Sequence, residues 1–113
     1  MCSKDTLDVI LKRICERAKG QFGSQLHSVI LYGSYAREDY DDESDIDVMV
    51  IVDLPANKIK EFNRAFSDFS LELDLQYDVV VSLLLQDKVT FERWKGSSPF
   101  FKNVINEGVE FVA

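Results

Sequence analysis

The chain has little of the residue types that build disulfide frameworks or zinc sites. Its 113 residues include two cysteines, Cys2 and Cys15, and one histidine, His27. One cysteine lies near the N-terminus and the other lies in a predicted helix, so neither a disulfide framework nor a zinc site is indicated. The single histidine precedes a predicted strand, which favours a surface or packing role over metal binding.

Long apolar segments are also missing. No apolar run reaches the length of a membrane span, and residues 1–5 lack the apolar region of a signal peptide. We find no repeat, linker or low-complexity segment. The sequence therefore predicts a single domain over residues 1–113 in the cytoplasm, with no membrane contact. An oligomer remains compatible with this size.

Positive charge is scarce, and the formal net charge is −7. Residues 38–47 contain no basic side chain but seven acidic ones, which are Glu38, Asp39, Asp41, Asp42, Glu43, Asp45 and Asp47. Such a surface repels a phosphate backbone, so we do not expect binding to a nucleic-acid duplex. A small nucleotide bound with magnesium is compatible, because the cation inverts the local electrostatics.

Hydrophobic periodicity predicts helices that alternate with strands. Helices are expected at 5–19, 34–38, 56–70, 90–94 and 99–106, and strands at 28–32, 45–52 and 77–84. With the two short C-terminal helices counted as one segment, the order α-β-α-β-α-β-α predicts a two-layer α/β domain. Large apolar residues are expected in its core, including Phe62, Phe66, Phe69 and Trp94.

Small and acidic residues cluster where the first two strands meet the intervening loop. Gly33 and Ser34 follow the first strand, and Asp45 and Asp47 open the second, with ten residues between Ser34 and Asp45. Carboxylates at positions i and i+2 of a strand point to one face. Two negative charges on one face are unfavourable without a cation, and hard oxygen ligands favour magnesium or manganese.

The residues around Ser34 suit a phosphate group. Gly33 permits close approach of the backbone, and Ser34 contributes a hydroxyl at the start of a short helix. Arg37 lies within one helical turn of Ser34. It can bind a triphosphate or pair with the acidic residues of the loop, and the sequence favours neither.

The pattern Gly33-Ser34-x10-Asp45-x-Asp47 resembles the signature of polymerase-beta-type nucleotidyltransferases. It is most similar to the minimal nucleotidyltransferases (MNT), the antitoxins of HEPN–MNT toxin–antitoxin pairs. Residues 77–81 resemble the family strand that bears a third carboxylate, and residues 98–108 resemble the family's closing helix. The resemblance implies a small mixed core sheet with three strands in sequential order. It also implies a glycine after Arg37, where this chain has Glu38.

The resemblance further implies a metal-dependent enzyme. Asp45, Asp47 and Asp78 would hold two Mg2+ ions, which Mn2+ can replace, and Gly33, Ser34 and Arg37 would bind ATP. Two ions can stabilise both the attacking and the leaving oxygen, with the third carboxylate near the nucleophile. By analogy, AMP passes to a tyrosine hydroxyl of a HEPN toxin, a helical RNase, and silences it.

Two other functions are compatible with the sequence. A non-catalytic antitoxin could mask its partner by binding, with the acidic loop 38–47 facing a basic surface. A transferase for a small antibiotic is less favoured, because such enzymes usually add a substrate-binding domain.

Overall fold

The computed structural model of the protein describes residues 3–41 and 44–112. Within these residues the helices are α1 Lys4–Phe22, α2 Ser34–Arg37, α3 Ala56–Ile59, α4 Asn63–Tyr77, α5 Lys88–Trp94 and α6 Pro99–Glu107. The strands are β1 Leu26–Tyr32, β2 Ile46–Val52, β3 Val81–Asp87 and β4 Val109–Val112. No helix in these ranges is long and apolar enough to cross a membrane.

The four strands form one mixed sheet in the order β3-β2-β1-β4. β1 runs antiparallel to β2 and β4, whereas β2 and β3 are parallel. The predicted α/β class and the sequential order of the first three strands are confirmed. β4 was not predicted, because four residues are too few to show a clear alternation of apolar and polar side chains. Its pairing partner, β1, also lies far away in sequence.

Helices cover both faces of the sheet. One face of β2, including Val48 and Val50, packs in a cluster with residues of α1 and α4. The other face, including Met49 and Ile51, packs with Phe91 of α5 and with residues of α6. β2 is therefore the central buried strand, which explains why its sequence is apolar at almost every position.

The predicted aromatic core is correct in part. Phe66 and Phe69 are buried, and Phe62 packs against them at the edge of the same cluster. The prediction for Trp94 was wrong, since 51% of its surface is exposed. Phe91, one turn earlier in α5, is the buried ring of that helix.

The third strand begins four residues later than predicted. α4 continues to Tyr77 because Phe66, Phe69 and Leu73 extend its buried stripe at helical spacing. The helix ends at Asp78, which adopts the left-handed conformation (φ 53°, ψ 54°) and donates its backbone N–H to the carbonyl of Asp74. β3 then starts at Val81.

Candidate active site

The site lies where β1 ends beside the start of β2. Tyr32, the last residue of β1, pairs with Asp47 across the antiparallel ladder. Gly33 follows with a φ of 77°. A Cβ on Gly33 would lie 2.5 Å from the carboxylate Oδ2 of Asp47. The positive φ therefore favours glycine here, and a side chain at this position would also force the Asp47 carboxylate to shift.

Asp45 and Asp47 stand at the edge of the face covered by α5 and α6. Asp47 is half-buried and continues the row formed by Met49 and Ile51, while Asp45 is exposed just before β2 begins. Burial raises the pKa of the Asp47 carboxyl, the negative charge of Asp45 raises that pKa further, and Arg37 opposes both effects. The pair therefore combines partial desolvation with like-charge repulsion, which a bound cation would relieve.

Two aromatic side chains, Tyr32 and Phe100, lie beside this pair. Burial and the charge of Asp47 raise the pKa of the Tyr32 hydroxyl to about 12, so the phenol stays neutral beside the carboxylate. The Tyr32 ring meets the ring of Phe100 edge-on, with 5.6 Å between the centroids, and 44% of the Phe100 surface remains exposed. Sequence reasoning did not assign Tyr32 or Phe100 to the site. Tyr32 lies beside Asp47 because of the register between β1 and β2, which no local sequence pattern predicts.

The short helix α2 places Ser34 next to Gly33. Gly33 occupies the N-cap position, and its carbonyl accepts hydrogen bonds from the backbone N–H groups of Ala36 and Arg37. Ser34, which was expected at the start of this helix, is its first residue. Glu38 ends α2 in the left-handed conformation, with a φ of 64°. This is the position where the resemblance implied a glycine, and the backbone adopts a conformation that glycine favours.

Arg37 forms ion pairs with two carboxylates. Its Nε donates to Asp39 Oδ2 at 3.1 Å and its Nη1 donates to Glu107 Oε2 at 2.9 Å. These bonds raise the pKa of the guanidinium. Within the described part of the chain no hydrogen bond involves its Nη2.

The C-terminal end of α6 is fixed against β1, which brings Glu107 to Arg37. A Cβ on Gly108 would clash with the carbonyl of Val104 and would lie 2.5 Å from Cγ2 of Ile30. The absence of a side chain at Gly108 thus lets the chain turn tightly from α6 into β4.

Asp78 does not join Asp45 and Asp47. It lies exposed at the end of α4, three residues before β3, so its predicted position on the strand was wrong. Among residues 3–41 and 44–112, no three or more His, Cys, Asp or Glu side chains are grouped so that they could hold one metal ion. The β3 residue that pairs with Asp47 is Ser82.

Comparisons with known proteins identify the family of this chain. The model of the nucleotidyltransferase domain family matches residues 7–110. The chain is 32% identical over 98 residues to a Methanocaldococcus jannaschii protein named "putative protein adenylyltransferase MJ0604", an alignment that covers 87% of this chain and 90% of that one.

Two solved structures share the fold. A toxin–antitoxin complex with AMP-PNP matches with a TM-score of 0.56 and 19% identity, covering 90% of this chain and 73% of that one. A complex of a tri-AMPylated Shewanella oneidensis HEPN toxin with its MNT antitoxin matches with a TM-score of 0.50 and 18% identity, covering 93% and 72%. The fold and the site thus define a nucleotidyl-transferring enzyme, and the chain belongs to the nucleotidyltransferase domain family.

Proposed function

We propose that the protein transfers AMP from ATP to a tyrosine hydroxyl of a helical HEPN-type partner in the cytoplasm, releasing pyrophosphate, and thereby neutralises that partner. The observation that supports this proposal most directly is the Asp45–Asp47 pair, in which the carboxylate of Asp47 lies close to Gly33. A half-buried carboxylate beside a second one fits a hard divalent cation such as Mg2+, with Mn2+ as a substitute.

Each residue of the site has a distinct task. Asp45 and Asp47 hold the cation, which when bound neutralises charge on the triphosphate and lowers the pKa of the acceptor hydroxyl. Gly33 lets the phosphates approach the backbone, and the Ser34 hydroxyl donates to a phosphate oxygen. The remaining N–H groups of Arg37 bind the same phosphates.

Support for the acceptor comes from the similar proteins. One relative is named as a protein adenylyltransferase, and one structural neighbour contains an AMPylated HEPN toxin.

A transfer assay with ATP labelled at the α-phosphate tests the proposal. Label should appear on the co-purified partner, and intact-mass analysis should show the added mass of one or more AMP groups. Asp47→Asn should abolish labelling, whereas Asp53→Asn, an exposed acid at the other end of β2, should leave it intact. Unchanged labelling by Asp47→Asn would rule out the proposed site.

A masking antitoxin is the second candidate. It is favoured by the position of Arg37, which is already paired with Asp39 and Glu107. In that case a variant with both Asp45→Asn and Asp47→Asn would still neutralise the partner. If neutralisation is lost while the complex persists, the enzymatic function is supported.

A further inference from the structure

We propose that Ser82, a neutral residue, occupies the third position of the cation site, so that the chain alone binds a divalent cation weakly until a nucleotide triphosphate supplies further oxygen ligands. This inference rests on the proposed function, and it concerns the same site. It replaces the sequence expectation that Asp78 is the third carboxylate.

The strand register carries the inference. β2 and β3 are parallel, and Asp47 pairs with Ser82, Val48 with Leu83 and Met49 with Leu84. Neighbouring strands lie about 4.8 Å apart and residues in register point to the same face, so Ser82 stands beside Asp47. The Ser82 side chain is exposed, so its hydroxyl is accessible from the side where the acidic pair lies.

Two hydrogen bonds from α4 fix this register at Val81. The nearly buried hydroxyl of Ser70 donates to the carbonyl of Val81 at 2.6 Å, and Val81 donates its N–H to Asp74 Oδ1 at 2.7 Å. These two bonds satisfy the backbone carbonyl and N–H of Val81 on the edge of β3 that faces away from β2. On the other edge, the N–H of Ile46 donates to the carbonyl of Val80 at 2.8 Å.

Backbone hydrogen bonds at the end of α4 hold Asp78 away from the site. Its N–H and that of Val79 both bond to the carbonyl of Asp74, which closes the end of α4. To reach the position of Ser82, Asp78 would have to move four residues along the strand. That shift would break the bonds that Ser70 and Asp74 make to Val81.

A site of this composition couples cation and nucleotide. Magnesium in proteins commonly keeps several waters and binds through one or two carboxylates plus substrate phosphates. With two carboxylates and a neutral third residue to hold the cation, phosphate oxygens would supply the further ligands. Because binding free energies are linked, each ligand should then strengthen the binding of the other by the same factor.

The test measures free Mn2+ by electron paramagnetic resonance during titration, with and without a non-hydrolysable ATP analogue. The unmodified protein should bind Mn2+ at least tenfold more tightly with the analogue than without it. Ser82→Asp should strengthen binding of Mn2+ alone at least tenfold, and Ser82→Glu serves as a second variant because aspartate is disfavoured in strands. Asp78→Asn, the control outside the proposed site, should stay within twofold of the unmodified protein.

Three results would overturn the inference. The first is that neither Ser82→Asp nor Ser82→Glu binds Mn2+ more tightly than the unmodified chain does. Another is a tenfold loss of Mn2+ binding in Asp78→Asn, and the third is tight Mn2+ binding to the unmodified chain without nucleotide. Failure of the proposed function has a different signature, namely that Asp47→Asn changes neither Mn2+ binding nor transfer.

Discussion

At the scale of single residues, Asp47 is held in an environment that disfavours its charge. Its folded-state pKa is raised by burial and by Asp45. The native state therefore retains this proton at pH values where the unfolded chain has lost it, and the carboxyl contributes a loss of stability as pH rises through that window. The proposed cation would offset this electrostatic cost, which the metal-free protein bears.

We predict that Asp47→Asn is at least as stable as the unmodified protein at pH 7 without metal. The difference in the free energy of unfolding between the variant and the unmodified protein should shrink as the pH falls from the raised pKa toward the ordinary value of about 4. At that pH Asp47 of the unmodified protein is neutral as well. Urea unfolding at a series of pH values measures this, with Asp53→Asn as the control. A variant clearly less stable at pH 7 would contradict the assigned electrostatics.

Glu38 is a second residue in a costly conformation. Its φ of 64° places a side chain in the left-handed region. We predict that Glu38→Gly raises the free energy of unfolding by about 0.5–1 kcal/mol, because glycine removes most of the left-handed penalty while increasing the entropy of the unfolded chain. Glu61→Gly, in the 3-10 turn Lys60–Phe62, should instead lower it. Equal effects in the two variants would exclude backbone strain at Glu38.

At the scale of elements, the junction of α6 and β4 determines where Arg37 is held. Gly108 allows this junction to pack against β1, and Glu107 then reaches Arg37. Exposed ion pairs add little to stability, so the value of this contact lies in orienting the guanidinium.

We predict that Arg37→Ala weakens ATP binding while leaving Mn2+ binding in place, because the two aspartates lie on a different element. Parallel titrations with ATP and with Mn2+ separate the two effects. Glu107→Gln, which retains hydrogen-bonding capacity, should cost less ATP affinity than Glu107→Ala. Unchanged ATP affinity in Arg37→Ala would assign Arg37 a purely structural role.

Gly108→Ala tests the packing of the junction directly. The added methyl group meets the Val104 carbonyl and Ile30, so we expect a loss of about 1–3 kcal/mol in the free energy of unfolding. Gly96→Ala is the matched control, because no heavy atom lies within 4 Å of the point that its Cβ would occupy, and we expect a change within about 0.5 kcal/mol. Chemical denaturation of both variants provides the comparison.

At the scale of the whole molecule, the cation and the nucleotide should stabilise the fold together. A ligand that binds only the folded state adds about 2.7 kcal/mol at a hundredfold excess over its Kd. Thermal melts with magnesium alone, ATP alone and both should therefore show the largest increase in Tm with both. Identical melts under all conditions, including the protein without ligand, would contradict the proposed site.

Some features of the site could be predicted because they depend on local sequence. The spacing from Gly33 to Asp47 and the apolar run of β2 are short-range patterns, and the fold class follows from the order of such patterns. The conformation of Gly33 and the placement of Asp47 on the α5–α6 face agree with them. Steric limits on the backbone and the two-residue period of a strand are enough to determine these features.

The sequence alone determined that an acidic pair follows a glycine–serine turn in an α/β domain, while the tertiary structure decided which residue of β3 lies beside that pair. Residues 71–81 have helix and strand character in succession. The boundary between α4 and β3 is set by the buried stripe of α4 together with the bonds of Ser70 and Asp74 to Val81. That boundary removes Asp78 from the sheet and puts Ser82 beside Asp47. Such choices depend on hydrogen bonds and packing between segments distant in sequence, and a local pattern contains neither.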